Sequence, residues 1–402
     1  MAMIPFYRPY FDHSEILAAV RPGAGRDEFE LAVANRMGAR YGVAFAYGRS
    51  GLVASLRALG LNQAEVVMPA YMCVVMAQAV IASGNWPVFV DINLTDYNMD
   101  LDGLPKAITP QTKAVVAAHL YGYPIDVDAI RALVRDDQIV IIEDCAQKLH
   151  SASDGAPRLR GDIGLCSFGA NKELSTVQGG VIVTNSPELY KRIKSYRDRE
   201  MSLSSSKTRL GRWARLLASY LVFQKPVYGL LSRFGMVGLD NRLTEDSDFE
   251  AGRLPGDYRS TLTDFQGRIG LAQLRKLETV VAKRRTLAEF YTRELRDVPG
   301  VVVPPIIPGA NYAYYSLRVP RRDELNFRWR MLAMGVAVDE TYEYALPFLK
   351  PYRSFARTQY PRALEAARQV INLPIYPSLS LSDAGYVVQC IRCVLEGRSR
   401  RG

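Results

Sequence analysis

Between residues 41 and 184, short apolar runs of strand length alternate with longer segments whose apolar residues recur at helical spacing. Such alternation is typical of a largely parallel sheet whose strands are connected by helices. We therefore predict an α/β domain in which helices flank a mostly parallel sheet. The predicted strands include 66–68, 88–91, 114–120, 139–144 and 179–184.

Polar side chains stand at the ends of several of these predicted strands. In an open parallel sheet, ligands bind in the crevice beyond the carboxyl ends of the strands. His119 has two interpretations there, either as a neighbour of a bound ligand or as a histidine whose hydrogen bonds the protein itself satisfies. The residues at these ends, where we expect the site, are Pro69, Asp91, His119, Asp144 and Ser167.

The pattern changes after residue 200. A serine-rich turn at 202–207 is followed by 212–234, in which cations mix with Trp, Tyr and Leu. Because a segment with so many large apolar residues does not stay solvated as a disordered loop, we predict that 203–255 packs over or beside the active site, with helices over 212–234. An extra structural hairpin with solvated charges is the alternative.

The rest of the chain predicts a second, smaller unit. Thr263 and Gln266 have the spacing of a capping box at the start of a long helical pattern. A later strand-like run and further helical patterns indicate an α+β fold. We predict a large domain over 1–250, with 203–255 inserted in it, and a smaller C-terminal domain over 251–402.

Composition narrows the class of protein. Of the 402 residues, 48% are hydrophobic and 23% are charged, as in an ordinary globular protein. No apolar stretch approaches the roughly 20 residues that span a bilayer, and residues 1–9 do not resemble a signal peptide. We therefore expect a cytoplasmic protein. Five cysteines fit a reducing compartment, and three histidines argue against a histidine-based zinc site, so that no metal is predicted.

The net charge is +10, and many of the excess cations lie in one segment. Such a cluster suits a nucleic acid, an anionic membrane or a phosphorylated substrate. No nucleic-acid recognition motif accompanies it, which leaves a substrate phosphate or a peripheral membrane contact through 203–255. Within 24 residues, Asp198 and Glu200 are outnumbered by Arg192, Lys194, Arg197, Arg199, Lys207, Arg209, Arg212 and Arg215.

Lys172 and Asp144 are the most informative pair in the chain. Asp144 ends the apolar run 139–144, and Lys172 follows 28 residues later, just before the run that opens with Gly179 and Gly180. Pyridoxal phosphate (PLP) chemistry needs an amine that forms a Schiff base with the cofactor and a carboxylate that keeps the pyridine nitrogen protonated. We therefore predict PLP as the cofactor, with Lys172 and Asp144 as catalytic residues.

Short motifs in a fixed order carry a family resemblance. They are Gly48-Arg49-Ser50-Gly51-Leu52, Met68-Pro69-Ala70-Tyr71, Pro87-Val88-Phe89-Val90-Asp91, His119-Leu120-Tyr121-Gly122, Glu143-Asp144-Cys145-Ala146-Gln147, Ser167-Phe168 through Lys172, Gly179-Gly180, Thr263-Asp264-Phe265-Gln266, Gly270-Leu271-Ala272-Gln273-Leu274 and Leu373-Pro374-Ile375-Tyr376-Pro377. On these motifs the chain resembles the DegT/DnrJ/StrS family of sugar aminotransferases, within the fold-type I PLP enzymes, over nearly its whole length.

The resemblance implies a homodimer with active sites at the subunit interface. It also implies a transaminase that moves an amino group to a keto-sugar, most often one carried on a nucleotide. Glutamate is the amino donor in most of the family. The corresponding role is in polysaccharide, lipopolysaccharide or glycosylated-metabolite biosynthesis.

Gly48, Arg49 and Ser50 open a predicted helix directly after a strand-like run. Backbone N–H groups at a helix amino terminus bind phosphate well, so we predict that these residues bind the cofactor phosphate. Arg49 stands where the family usually has threonine, and its cation either strengthens the phosphate contact or points to solvent. The resemblance implies that Ser167 also bonds the phosphate and that Gln147 bonds the phenolic oxygen of the ring.

Three positions depart from the family pattern. Cys73 stands where the family stacks an aromatic side chain on the cofactor ring, so either Tyr71 substitutes for it, the ring stacks on something smaller, or Cys73 is a buried structural thiol. Gly169 replaces a common histidine. Thr261, with Arg259 nearby, occupies the position from which a polar residue of the neighbouring subunit reaches the phosphate.

Two other functions remain open at this point. One is a PLP-binding regulator or membrane-recruited biosynthetic component, motivated by the basic and aromatic segment 203–255. The other is a PLP sugar lyase or dehydratase of the same fold. Lys172 argues against the dehydratase branch, because that branch has histidine in place of the lysine.

Overall fold

The computed structural model describes residues 3–149, 158–222, 227 and 252–397. Seven strands form its main sheet: β1 (Tyr41–Phe45), β2 (Glu65–Pro69), β3 (Trp86–Val90), β4 (Thr112–Ala118), β5 (Val140–Asp144), β6 (Ile163–Ser167) and β7 (Gly180–Thr184). Their order across the sheet is β1-β7-β6-β5-β4-β2-β3. Strands β2 to β6 pair in parallel, whereas β7 runs antiparallel to both β1 and β6. The predicted α/β fold with a mostly parallel sheet is confirmed.

Helices cover both faces of the sheet, which explains its continuous apolar strands. All residues of β2 are buried, and successive residues pack to opposite sides. Val66 belongs to the core that includes Leu52 and Val80, whereas Val67 packs with Ile130. The helices of this part are α1 (His13–Val20), α2 (Arg26–Arg36), α3 (Gly48–Ala58), α4 (Val74–Ala82), α5 (Leu104–Ala107), α6 (Val127–Val134), α7 (Pro187–Glu200) and α8 (Ser206–Val222).

Helix α8 is the described portion of the segment that breaks the sequence pattern. It confirms the predicted helix from Arg212 as far as Val222. Its inner side packs Trp213 against Phe265, with the two rings 5.5 Å apart, and buries Leu216 in the same cluster. The rest of the helical prediction, apart from residue 227, lies outside the described residues. No helix in the described ranges is long and apolar enough to cross a membrane.

The C-terminal part is the smaller α+β unit that the sequence predicts. Strands β8 (Tyr315–Arg318) and β9 (Val370–Leu373) pair antiparallel in a sheet of their own. Helix α10 packs against α13 beside them. The helices of this part are α9 (Asp264–Leu274), α10 (Leu277–Leu295), α11 (Phe327–Ala333), α12 (Pro361–Gln369) and α13 (Leu381–Leu395), with short 3-10 turns at Leu346–Phe348 and Lys350–Phe355; a further 3-10 turn, Leu120–Gly122, follows β4.

Helix α9 begins where the capping pair predicts. The backbone N–H of Thr263 donates to Gln266 Oε1 at 3.3 Å, which satisfies a donor before the first turn. Helix α9 packs against α1 and α2, so it joins the C-terminal part to the beginning of the chain. The domain boundary between residues 250 and 251 stays a prediction.

Candidate active site

A cavity of about 410 Å³ opens at the carboxyl ends of β4, β5 and β6, where the amino termini of α3 and α4 also meet. Such an edge is where an α/β sheet binds its ligands. Seven of the nine predicted site residues line it: Gly48, Arg49, Cys73, Asp144, Gln147, Ser167 and Lys172. Ser50 and Tyr71 are buried outside this lining.

The turn between β1 and α3 forms one end of the cavity. Tyr47 caps α3 with extended backbone, and the helix starts at Gly48. A Cβ atom at position 48 would lie 3.2 Å from Leu165 Cδ2 and 3.3 Å from Ser167 Cβ. Glycine therefore allows the first turn of α3 to lie directly against the end of β6, where Ser167 contributes its hydroxyl.

This turn fits a phosphate group. The first N–H groups of an α-helix have no partner within the helix, and the helix dipole favours an anion there. Ser50 Oγ, in the first turn of α3, is buried and has no hydrogen-bond partner among the described residues, so this turn also holds an unsatisfied donor. Arg49 lines the cavity, and its guanidinium lies 5.5 Å from the centre of the Tyr47 ring.

Asp144 ends β5, next to β6, and lines the same cavity. Burial is the largest influence on the pKa of this carboxyl and raises it above the ordinary value. A hydrogen bond from the N–H of Ala146, at 3.0 Å, and the positive charge of Lys172 act in the other direction without cancelling it. A cationic partner would relieve the remaining cost of the buried charge, and a protonated pyridine nitrogen is such a partner.

Lys172 lies in the loop between β6 and β7. Its backbone N–H donates to Gly169 O at 3.1 Å, which closes a turn and directs the half-buried lysine toward the cavity. The sheet therefore holds an amine and a carboxylate on the walls of one cavity, as the pair in the sequence predicts. The donors present fit PLP, with the phosphate at α3 and the ring beside Asp144.

His119 directly follows β4, and its hydrogen bonds are satisfied by the protein itself, whereas its place beside a bound ligand stays a prediction. It lines the cavity, and both ring nitrogens are engaged. Nδ1 accepts from the N–H of Ile125 at 3.1 Å, so Nε2 carries the proton and donates to Glu143 Oε2 at 3.2 Å. Burial alone would raise the pKa of Glu143, but His119 and backbone donors outweigh it and lower that pKa. Within the protein, both ring nitrogens of His119 therefore have hydrogen-bond partners.

Gln147 is held by both ends of its amide. Its Nε2 donates to the hydroxyl of Tyr342 at 2.5 Å, and its Oε1 accepts from the N–H of Tyr121. These bonds fix the side chain on the cavity wall beside Ala146. Its bond to the phenolic oxygen of the cofactor stays a prediction.

Cys73 and Tyr71 have different positions. Cys73 is half-buried, precedes the first turn of α4 and lines the cavity. Tyr71 is fully buried and shares a hydrogen bond of 2.7 Å with Tyr121 through their hydroxyls. Of the two, Cys73 is the one that borders the cavity, and which residue faces the cofactor ring stays a prediction.

Several lining residues were not found by sequence reasoning. Val177 is one, and its φ of 70° is unusual because a β-branched side chain clashes with the backbone in the left-handed region. Such strain is concentrated at functional sites. No local pattern marks these residues, because most come from loops distant in sequence. The others include Tyr47, Met72, Ala146, Gln178, Pro255, Tyr314, Thr341 and Tyr342, whereas Arg215 belongs to the basic cluster that the sequence already singles out.

The basic cluster does not form one exposed surface for anions. The prediction of a contact with a substrate phosphate or a membrane is wrong for two of its arginines, Arg197 and Arg212. Arg212 is only 2% exposed and bonds to four side chains of the protein. Arg197 is equally buried and forms an ion pair with Glu30 at 2.5 Å. Unpaired cations are costly in a protein interior, and each of these arginines is paired with acceptors of the same chain.

The residues expected to reach a neighbouring subunit also have partners in this chain. Thr261 is buried, and its N–H donates to Ser202 O at 3.0 Å. Arg259 is exposed to solvent and donates from Nε to the hydroxyl of Tyr258 at 2.8 Å. Their contact with the phosphate of a second subunit stays a prediction.

Comparison with known proteins identifies aminotransferases of nucleotide-linked sugars as relatives of this chain. A dTDP-4-dehydro-2,3,6-trideoxy-D-glucose 4-aminotransferase of Saccharopolyspora spinosa is 33% identical over 340 residues, covering 83% of this chain and 78% of that protein. A UDP-N-acetyl-3-dehydro-alpha-D-glucosamine 3-aminotransferase of Acidithiobacillus ferrooxidans is 28% identical and covers 92% and 88%. The solved aminotransferase TlmJ from Streptoalloteichus hindustanus superimposes with a TM-score of 0.77 at 28% identity, covering 98% and 99%.

The family is shown by a match along almost the entire chain. A sequence model of the DegT/DnrJ/EryC1/StrS aminotransferase family matches residues 14–392. The protein therefore belongs to the DegT/DnrJ/EryC1/StrS aminotransferases and is a PLP-dependent transaminase.

Proposed function

We propose that this transaminase moves an amino group from L-glutamate to a nucleotide-linked keto-sugar in polysaccharide, lipopolysaccharide or glycosylated-metabolite biosynthesis. The observation that carries the proposal is the placement of Lys172 and Asp144 on one cavity whose other end is the amino terminus of α3. The cavity volume of about 410 Å³ leaves space for a sugar beside a cofactor of PLP size. Relatives named as aminotransferases of dTDP- and UDP-linked dehydro-sugars support this substrate class.

Each site residue has a definite task in this proposal. The first turn of α3, with Ser50 and Ser167, binds the cofactor phosphate. Asp144 holds the pyridine nitrogen in its protonated form, because only a charged partner offsets the cost of its own burial. When bound, PLP supplies an electron sink for the carbon that gains or loses the amino group. Lys172 holds the cofactor and, once released, carries the proton at its Nζ.

We also propose that the enzyme is a cytoplasmic homodimer. The resemblance to the sugar aminotransferase family, which implies a homodimer, supports this proposal. A peripheral membrane contact through 203–255 belongs to the same proposal. It is supported by the exposed Leu210, Leu217 and Leu221 on the outer side of α8.

The two half-reactions test the proposal. L-Glutamate is added to the PLP-loaded protein, and the cofactor spectrum is followed from the aldehyde-derived form to pyridoxamine phosphate. A panel of dTDP- and UDP-linked keto-sugars is then added, and the spectrum should return as aminated sugar forms. Release of ammonia or of a dehydrated sugar would identify a lyase or dehydratase instead. A cofactor that glutamate and other amino acids leave unchanged would favour a regulatory protein.

A further inference from the structure

Helix α8 is joined to the phosphate turn of the active site by a partly buried ion pair between Arg212 and Asp257. Arg212 Nη2 donates to Asp257 Oδ2 at 3.1 Å, and the hydroxyl of Tyr47 donates to Asp257 Oδ1 at 2.6 Å. Tyr47 is the residue that caps α3. Asp257 therefore links an inner residue of α8 directly to the end of the cavity where the phosphate turn lies.

The ion pair persists at neutral pH. Burial alone would raise the pKa of Asp257, but hydrogen bonds from Tyr47, Gln178 and Arg212 outweigh it and lower the pKa. Arg212 also donates to the side chains of Ser204, Gln266 and Ser260, at 2.8, 3.0 and 3.2 Å. A guanidinium with this many charge-assisted bonds has one position, and it fixes the rotation of α8 about its axis.

Because the rotation of α8 is fixed, a second arginine of this helix, Arg215, lies at the cavity. Arg215 lies three residues after Arg212, on a neighbouring part of the helix surface, and it lines the same cavity as Tyr47 and Lys172. Its side chain is exposed, and within the described ranges no acceptor bonds its guanidinium. Arg209, three residues before Arg212, is also exposed, but it donates to Ser206 Oγ at 3.1 Å and does not line the cavity.

We propose that Arg215 binds a phosphate of the sugar-nucleotide substrate at the mouth of the cavity. The inference rests on the proposed function, since it assigns a subsite to that substrate. The α3 turn, with Ser50 and Ser167, already binds the phosphate of the cofactor. A keto-sugar itself is neutral, so it offers Arg215 no anionic partner. A guanidinium presents paired donors to phosphate oxygens and is the side chain best suited to this contact.

Matched substitutions on α8 test the subsite. Arg215→Gln should raise KM for a sugar-nucleotide substrate about tenfold, as the loss of one charge-assisted contact would, and should leave kcat nearly unchanged. It should also weaken the binding of dTDP or UDP alone, measured by calorimetry on the PLP-loaded protein, by a similar factor. The fold-change should shrink at high salt, because exposed charges are screened. Arg215→Lys should recover part of the loss, and Arg209→Gln should behave as the native protein.

The glutamate half-reaction separates this proposal from the one on which it rests. Conversion of the cofactor by glutamate should be the same in the native protein, Arg215→Gln and Arg209→Gln. If glutamate converts the cofactor in all three proteins but Arg215→Gln binds dTDP and UDP as the native protein does, the subsite is overturned and the transaminase stands. A raised KM for glutamate in Arg215→Gln would also overturn it, since Arg215 would then hold the donor carboxylate. If glutamate converts none of them, the proposed function fails, and the calorimetry still decides whether Arg215 binds a nucleoside diphosphate.

Discussion

Gln147 donates from Nε2 to the hydroxyl of Tyr342 at 2.5 Å, across 195 residues of sequence. The bond joins the loop after β5 to the C-terminal part of the chain at the wall of the cavity. Tyr342 has a φ of 64°, so the loop that carries it is held in the left-handed region. The predicted cofactor ligand is therefore oriented by a residue from the other part of the molecule.

Tyr342→Phe should weaken cofactor binding severalfold while the protein remains folded. The substitution removes one buried hydrogen bond, worth about 1 kcal/mol, and frees the amide of Gln147 to turn away from the cavity. The measurement is the dissociation constant of PLP, from its absorbance in a titration of cofactor-free protein.

Tyr360→Phe is the matched control for that change. The hydroxyl of Tyr360 also accepts a bond, from the N–H of Arg357 at 3.2 Å, but Tyr360 does not line the cavity. It should lower stability by a similar amount and leave PLP affinity unchanged. Equal PLP affinities in the native protein and Tyr342→Phe would show that Gln147 needs no such support.

Lys172→Ala should abolish both the covalent attachment of PLP and the glutamate half-reaction. Lys172 is the lysine that lines the cavity within the described residues, and alanine has no amine to react with the cofactor aldehyde. Borohydride reduction followed by mass spectrometry of the peptides locates the attachment. Lys113→Ala removes a half-buried lysine outside the cavity whose Nζ donates to Pro110 O, and it should keep full activity. Reducible PLP together with normal turnover in Lys172→Ala would place the reactive amine elsewhere.

Asp144→Asn should lower transamination by several orders of magnitude and leave some PLP bound. A neutral amide cannot hold the pyridine nitrogen protonated, and the lost charge-assisted bond contributes about 1.5–3 kcal/mol to cofactor binding alone. Single-turnover rates with glutamate measure the loss. A rate close to that of the native protein would mean that another group protonates the ring.

In the cofactor-free protein, Asp144→Asn should raise the stability of the fold, and the size of this gain should depend on pH. Burial raises the pKa of Asp144 in the folded state above the ordinary 3.8. Below 3.8 both folded and unfolded states hold the proton and no cost arises. As pH rises through 3.8, the carboxyl ionises in the unfolded state but not in the folded state, so folding becomes less favourable. This loss of stability is complete above the pKa of Asp144 in the folded state. Asp144→Asn should therefore raise the Tm of cofactor-free protein at pH 7, and the gain should shrink toward pH 4. An equal gain at both values would contradict a buried charge as its cause.

The sequence predicts the sheet and the residues at its strand ends because both depend on local pattern. Asp144 and Ser167 each end a buried strand, and parallel pairing brings their ends to one edge. Tyr342 could not be found in this way, because it reaches the cavity from the C-terminal part of the chain, far from these strands in sequence. The burial of Arg212 was also missed, because its partner Asp257 lies 45 residues away in a polar stretch.

The outer side of α8 should bind anionic membranes at low salt. Leu210, Leu217 and Leu221 are 71, 43 and 57% exposed and share one side of the helix, with Lys207 and Arg209 beside them. Residues 201–239 contain no Asp or Glu. Each cation near an acidic lipid surface contributes about 1 kcal/mol, and exposed leucines add apolar burial.

Flotation with phosphatidylglycerol-containing and pure phosphatidylcholine vesicles measures this binding. The native protein should float with the anionic vesicles at low salt and less at physiological salt, because screening weakens the attraction. Substituting serine at 210, 217 and 221 together should abolish flotation, whereas serine at the exposed Leu17 and Leu31 of α1 and α2 should not. If no variant floats and the triple substitution instead converts a dimer to a monomer, the leucines of α8 pack against a second copy of the chain, and the membrane contact is wrong.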